Sequence, residues 1–255
     1  MSATAERPMA FYHQDGLVPA WNFARAYAGK SGHIATLPEI IELRLGASAG
    51  VSGSPWETWY ASASAEYVGV GADQAYVFMG WQRPTFAWLI DYDAWVVTLH
   101  RIYREFFRAA KTPEAFWRFW KKRGRKEGLA LIEKVFAGDK ALPQMKRLYT
   151  RYQGRINYRF RLLRSRLRRA KTDWFLTDPA QYAFVRALVL SGRVRNMSAN
   201  LLGSKGLKGI GEAARKLNVP IRVLYLSNAE QYWPYRAPFR ANISALNFDK
   251  RSVVL

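Results

Sequence analysis

At 255 residues, 49% of them hydrophobic, the chain is long enough for one large α/β domain with an appendage or for two small domains, and too apolar for global disorder. It contains no cysteine, which excludes disulfides, thiolate catalysis and cysteine-based metal sites. Lys and Arg number 40 against 19 acids, a formal charge of +21 that predicts attraction to a polyanion: nucleic acid, a phosphorylated ligand or an anionic membrane surface.

No run approaches the roughly 20 apolar residues of a transmembrane helix. Residues 1–8 are polar and lack a signal-peptide core. A soluble, cytoplasmic chain is therefore expected, with export open for a chain already trimmed of its leader. Residues 1–65 read as a helical prelude: a short amphipathic helix at 20–27, a second from Pro38, then a small-residue loop at 46–55 that reads as a linker, with a flexible lid as the alternative.

From residue 66 the pattern becomes strand, turn, helix, strand, helix. Tyr67-Val68-Gly69-Val70 is a β-prone run entering a Gly69-Val70-Gly71 turn, and residues 73–79 suit a helix. Residues 85–90 form a second, near-continuously apolar strand of the kind buried on both faces of a parallel sheet, and it ends in Asp91. The helix at 94–110 puts Trp95, Leu99, Ile102 and Phe106 on one face. Thr112-Pro113-Glu114 starts another, with an N-cap, proline at the first position and an acid in the first turn. A short helix follows at 128–136.

Residues 143–170 form a long amphipathic helix. Apolar residues recur every three or four positions from Met145 to Leu167, and Gly154 is a point for a bend. No acid occurs between Lys140 and Thr172, and arginines crowd the polar side. Arg151, Arg155, Arg159, Arg164 and Arg168 are the candidate polyanion-binding residues, with Tyr149, Tyr152, Tyr158 and Phe160 interleaved as aromatic platforms. A solvated basic face is the plainer alternative.

Asp178-Pro179-Ala180-Gln181 caps a further helix ending near Gly192. A strand at 194–198, a turn at 200–203, a helix at 206–217 and the clearest strand of the chain, 221–226, follow. Residues 239–243 and 252–255 read as final strands. Strands and helices thus alternate, which predicts an α/β fold with a Rossmann-like, mostly parallel sheet flanked by helices. The basic segment 112–171 is expected as a helical insertion in an α/β domain covering 66–255.

Ligands of such sheets sit outside the carboxyl ends of the strands. Gly69 and Gly71 would shape a cofactor turn, with Asp73 and Gln74 at the following helix start and Asp91 placed to hold a ribose. Tyr76 stands where a dinucleotide fingerprint has its third glycine, and Asp73 puts negative charge where a pyrophosphate would lie. Both disfavour NAD and favour a nucleoside without phosphates, such as S-adenosylmethionine. Asn200 is placed to meet the adenine or ribose edge. Ser227, Asn228, Glu230, Gln231 and Tyr232, after the best strand, are the substrate-facing candidates. A tight turn and capped loops with no ligand are the plainer reading of the same residues. The three histidines lie far apart, so no metal motif appears.

Several of these stretches resemble an uncharacterised bacterial family with a class I methyltransferase-like fold: Tyr67 to Gly71 with Asp73-Gln74, Arg83-Pro84, Phe86 to Asp91, Asp178 to Tyr182, Gly192 to Val194, Asn200-Leu201, Tyr225 to Tyr232 and Phe239 to Asn242. The likeness runs from about Tyr67 to the end. It departs at Tyr92, where a basic residue is usual, and at Ala75, where asparagine is usual. It implies a methyltransferase-like fold and no settled activity. A methyltransferase-like protein using S-adenosylmethionine is one expectation. A non-enzymatic polyanion-binding protein with a degenerate nucleoside pocket is the other.

Overall fold

The structure is a computed structural model that describes residues 10–11, 33–34 and 65–255, apart from residues 228, 234 and 250. The expected helices and linker before residue 60 lie outside the described residues.

The fold is α/β. Five parallel strands, β1 (Glu66–Val70), β2 (Phe86–Asp91), β3 (Val194–Ser198), β4 (Ile221–Tyr225) and β5 (Val253–Val254), lie in the order β3-β2-β1-β4-β5. Two-residue strands, Ala10–Phe11 and His33–Ile34, extend the sheet beyond β5. Eight α-helices occur among the described residues: α1 (Gln74–Gln82), α2 (Ala94–Ala109), α3 (Pro113–Trp120), α4 (Arg125–Val135), α5 (Leu142–Arg169), α6 (Pro179–Leu190), α7 (Gly206–Leu217) and α8 (Ala237–Ser244).

These elements divide into two compact units. One holds the described residues up to Gly71, Pro84–Tyr92 and Met197–Leu255; the other holds Ala72–Arg83 and Asp93–Asn196. The expected insertion, 112–171, lies wholly inside the second, helical unit.

In the sheet unit, β1 and β2 pair in unbroken register from Glu66↔Phe86 to Val70↔Ile90. Val68, Val70, Ile90, Leu224 and Val254 from the strands meet Leu207, Ile210 and Ala214 of α7 and Phe239 and Ile243 of α8 in one core. Side chains of the other parity, Tyr67, Ala87, Leu89 and Val223, are buried as well. Burial on both faces is why these strands read as continuous apolar runs rather than alternating ones. Residues 239–243, expected as a strand, are helical instead. Their Phe239, Asn242 and Ile243 are buried at helical spacing, and Pro238 sits at the first turn, where a missing N–H costs nothing.

The helical unit is built on aromatic packing. Tyr76 stacks on Tyr103 at 4.8 Å, Tyr103 lies 4.6 Å from Trp120, Phe106 stacks on Phe119 at 4.4 Å and Phe107 on Phe116 at 4.3 Å. Phe160 of α5 enters the same cluster against Trp117, Trp120 and Trp174. Helix starts follow the sequence. Asp93, Thr112 and Asp178 each accept a backbone N–H from the first turn. Trp95, expected on the buried face of α2, is 41% exposed, while Leu99, Ile102 and Phe106 are buried. Trp95 stands in the first turn, ahead of the helix's packed stretch.

Helix α5 runs unbroken through Gly154. Met145, Leu148, Tyr149, Ile156, Phe160 and Leu167 form its buried face. Gln153 is buried among them and donates to the carbonyls of Phe119 and Lys121, each at 2.9 Å, while the Tyr149 hydroxyl donates to Phe119. The carbonyls at the end of α3, which have no partner within their own helix, are satisfied by a neighbouring helix.

Candidate functional site

The carboxyl ends of the five strands form one rim. Register places Val70 beside Ile90, so Gly71 follows β1 next to Asp91 at the tip of β2. The Ala199 amide donates to the Asp91 carbonyl at 2.9 Å, which brings Asn200 to the same edge. On the other side of β1, Gly69 pairs with Tyr225, so Ser227 stands beside Gly71. The Leu226 amide donates to the Leu255 carbonyl at 2.7 Å and closes the row. Strand order reverses between β1 and β4, and that reversal opens the crevice in which ligands of open α/β sheets sit. Gly71 and Ser227 are its two lips.

The two glycines of the turn have different reasons to be there. Gly71 has φ +91°, where a side chain is strained. A Cβ on it would meet only Ser227, at 3.9 Å from Oγ. Gly69 lies within β1, and a Cβ there would fall 2.5 Å from the Tyr67 ring. Tyr67 is fully buried and folds across its own strand, so this glycine serves packing rather than the turn. Ser227 also takes a positive φ, +59°, a conformation that costs a non-glycine residue roughly 1 kcal/mol. Two left-handed residues thus face each other at the switch point.

Asn200 builds its own turn: Oδ1 accepts from the Leu202 amide at 2.9 Å, and its carbonyl accepts from Gly203 at 2.9 Å. Asn242 of α8 fixes that turn from beneath, donating to the carbonyls of Leu201 and Gly203 at 2.8 and 2.7 Å. Asn242 is buried and holds the candidate adenine-side loop in place. Its spacing with Phe239 and Ile243 marks a buried helical face, but its partners, about 40 positions away in the chain, carry no local sequence signal.

After β4 the chain passes through Ser227 into a 3-10 turn, Ala229–Tyr232, that carries Glu230 and Gln231. Asn228 lies outside the described residues. Tyr232 is 76% exposed. Trp233 and Tyr235 pack on Phe239, at 5.8 and 5.5 Å between ring centres, and anchor the segment that follows.

Asp93, not Asp91, caps α2: its Oδ1 accepts from Trp95 N at 2.8 Å. Asp91 stands half-buried at the rim.

Asp73 and Gln74, the other two cofactor candidates, belong to the helical unit. Asp73 is 4% exposed and is gripped by both arms of Arg159, whose Nε donates to Oδ2 at 2.8 Å while Nη2 pairs with Oδ1. This pairing takes up Asp73, a candidate for the cofactor, and Arg159, a candidate for a polyanion. Tyr76 is buried with its hydroxyl 2.8 Å from His100 Nδ1. Burial raises the Tyr76 pKa well above its ordinary value, and the nearby Asp73 charge adds to the shift.

Along α5 the remaining candidates separate. Arg151 and Arg155 are exposed and both lie 5.8 Å from the Tyr152 ring. Arg164 lies 5.1 Å over the Trp117 ring, which Lys121 also covers at 4.9 Å. The Lys121 ammonium titrates below its ordinary value, first through burial and then through Arg123 and Arg164. Arg164 and Arg168 line a surface groove of about 360 Å³ together with Tyr158, Arg161, Leu162 and Ser165. Of the aromatic platforms, Tyr149 and Phe160 are core, Tyr152 is half-buried and Tyr158 is 64% exposed.

Among the described residues no group of His, Asp and Glu is arranged to hold a metal ion, and no helix is long and apolar enough to cross a membrane. No curated protein matches the chain. The parallel sheet and both candidate surfaces fall within residues 60–255, the stretch matched by the Domain of unknown function (DUF7790), and the chain belongs to that family.

Proposed function

We propose that the rim between β1, β2 and β4 binds S-adenosylmethionine and that the protein is methyltransferase-like. One observation carries this reading: the sheet order reverses between β1 and β4, where Gly71 opens the strand end and Asp91 stands one strand away. In this reading the Asp91 carboxylate holds the ribose hydroxyls and Gly71 lets the backbone approach the cofactor. The Asn200 amide group meets the adenine, while Ser227 and Tyr232 face the methyl acceptor. Glu230, Gln231 and Asn228 fall in the same segment and share that role. Gly69 packs on the Tyr67 ring within β1 and takes no part in this reading. Catalysis would come from holding the acceptor in line with the methyl group rather than from an acid or base.

Calorimetric titration of the full chain with S-adenosylmethionine tests this. Saturable heat is expected, weakened about tenfold or more by Asp91→Ala, as for loss of a hydrogen bond to a charged group. No heat at millimolar ligand, or an affinity unmoved by Asp91→Ala, would refute the reading.

A further inference from the structure

We propose that the outward face of α5 is a seat for single-stranded nucleic acid, with one base stacked on Tyr158 and the flanking phosphates held by Arg161, Arg164 and Arg168. This rests on the helical unit alone and does not depend on the cofactor reading.

The sequence shows arginines and interleaved aromatics on this helix but not which of them face outward. In the structure, Arg147, Arg151, Arg155, Tyr158, Leu162, Ser165 and Arg169 follow one another at steps of three or four residues, so they share a stripe. The stripe is about 33 Å long at the α-helical rise. Its middle is not charged: Tyr158 is 64% exposed and Leu162 37% exposed. They line the groove of about 360 Å³ together with Arg161, Arg164, Arg168 and Ser165. An aromatic face flanked by guanidinium groups and a hydroxyl is the chemistry that binds a nucleotide unit: the ring stacks on the base and the arginines bridge phosphate oxygens.

The surrounding charge fits the same partner. With no acid from Lys140 to Thr172, nothing on the helix itself neutralises the stripe. The acids nearest its start are already engaged, Glu133 with Lys146 and Asp139 with Arg101. Arg159 points its charge at Asp73 and is not part of the seat. Arg164 is steadied on the Trp117 ring, which pre-positions one phosphate contact.

A membrane surface is the weaker partner for two reasons. The apolar side of α5 is buried in its own unit, which leaves Tyr158 and Leu162 as the outward apolar groups of the stripe. Insertion at a lipid interface needs a broad apolar face. Nine of the ten cations from Lys146 to Arg169 are arginine, whose planar fork suits bidentate phosphate contacts better than lysine's point charge. Single strands are favoured over duplex because Tyr158 needs an unstacked base.

The test is fluorescence anisotropy of the full chain with labelled oligonucleotides of about 15 nucleotides, single-stranded and duplex, from about 50 to 200 mM salt. Binding should be tighter to the single strand. Tyr158→Ala should weaken it about tenfold and leave the duplex affinity unchanged, and Tyr158→Phe should bind as the parent does. The triple variant Arg161→Ala, Arg164→Ala, Arg168→Ala should lower the steepness of log K against log salt by about 2, near 0.7 for each lost phosphate contact. Circular dichroism of each variant checks that the fold is kept, and the Phe variant, which keeps the ring, carries the test if the triple variant unfolds. Equal binding by Tyr158→Ala, a preference for duplex, or binding to phosphatidylglycerol vesicles with none to oligonucleotide would each overturn the proposal.

Discussion

In the sheet unit, the residues that read as functional stand at strand ends and act largely through backbone shape; in the helical unit, they are side chains spread over a helix surface. Gly71 and Ser227 matter for a positive φ, and Asp91 and Asn200 matter for where strand pairing delivers them. On α5 the backbone is ordinary helix. What matters is how each arginine is held: Arg159 is paired with Asp73, while Arg164 lies over Trp117 and Arg151 and Arg155 over Tyr152. A parallel sheet makes a site by topology, because its strand tips are brought into one row. A helix makes a surface by periodicity, because its side chains repeat. The first kind of site should fail through changes of backbone, and the second only through the loss of particular side chains.

The largest effect is expected at the aromatic core on which α5 depends. Trp120 is fully buried against Tyr103, Phe106, Tyr149 and Phe160, and its Nε1 has no hydrogen-bond partner among the described residues. Trp120→Ala should cost about 3–5 kcal/mol in denaturant unfolding. Trp120→Phe should cost much less, since it keeps a ring and removes the unsatisfied donor. An equal loss for both would mean that the indole N–H, not the ring, is what the core needs.

Next comes the pair joining the start of α1 to α5. Arg159→Ala leaves a buried Asp73 carboxylate without its guanidinium and should cost about 3 kcal/mol. Asp73→Asn should cost about 1 kcal/mol, because the Arg159 side chain is 45% exposed and water can take over its solvation. The order of the two decides whether Asp73 is held for stability. If Arg159→Ala were neutral, Asp73 would be open to a ligand role after all.

Gly69→Ala separates packing from ligand approach within the turn. The added methyl meets the Tyr67 ring and should destabilise by about 1–3 kcal/mol with no ligand present. A variant of unchanged stability that fails only in cofactor binding would move Gly69 back into the cofactor turn.

The smallest expected effect is a pH dependence at the start of β1. Burial raises the Glu66 carboxyl pKa above its usual range, opposed by the hydrogen bond from Trp88 Nε1 at 3.0 Å. A raised carboxyl pKa means that the folded state holds its proton longer than the unfolded one. Stability is therefore lost as pH rises from the ordinary glutamate value through the raised one. Glu66→Gln keeps an acceptor for Trp88 and drops the charge. Its melting temperature should exceed the parent's at neutral pH and converge with it on acidification. A constant difference at every pH would show that the charge is not the cause.

Much of the fold was legible because local chemistry agreed with it. Residues 194–198 and 206–217 match the observed β3 and α7, and Asn218 ends α7 at φ +53°. The miss at 239–243 came from reading an apolar run without its spacing: Phe239, Asn242 and Ile243 mark a helix face. The site was legible in part. Gly71, Asp91, Asn200 and Ser227 do meet at one rim, since turn glycines and strand-end polar residues carry position in their spacing. Asn242, Gln153 and the Tyr67 ring over Gly69 were not legible, because each acts on a partner brought near by packing.

By itself the sequence determined the alternation of strands and helices, the caps, and the concentration of arginine on one helix. Each of these depends on residues a few positions apart. Strand order, and with it the reversal between β1 and β4, was decided only by the tertiary structure, because pairing joins segments such as Gly69 and Tyr225 across more than 150 positions. The same holds for the arginines. Periodicity puts them on the helix, but only packing decides that Arg159 is taken by Asp73 while Tyr158 and Arg161 are left facing outward.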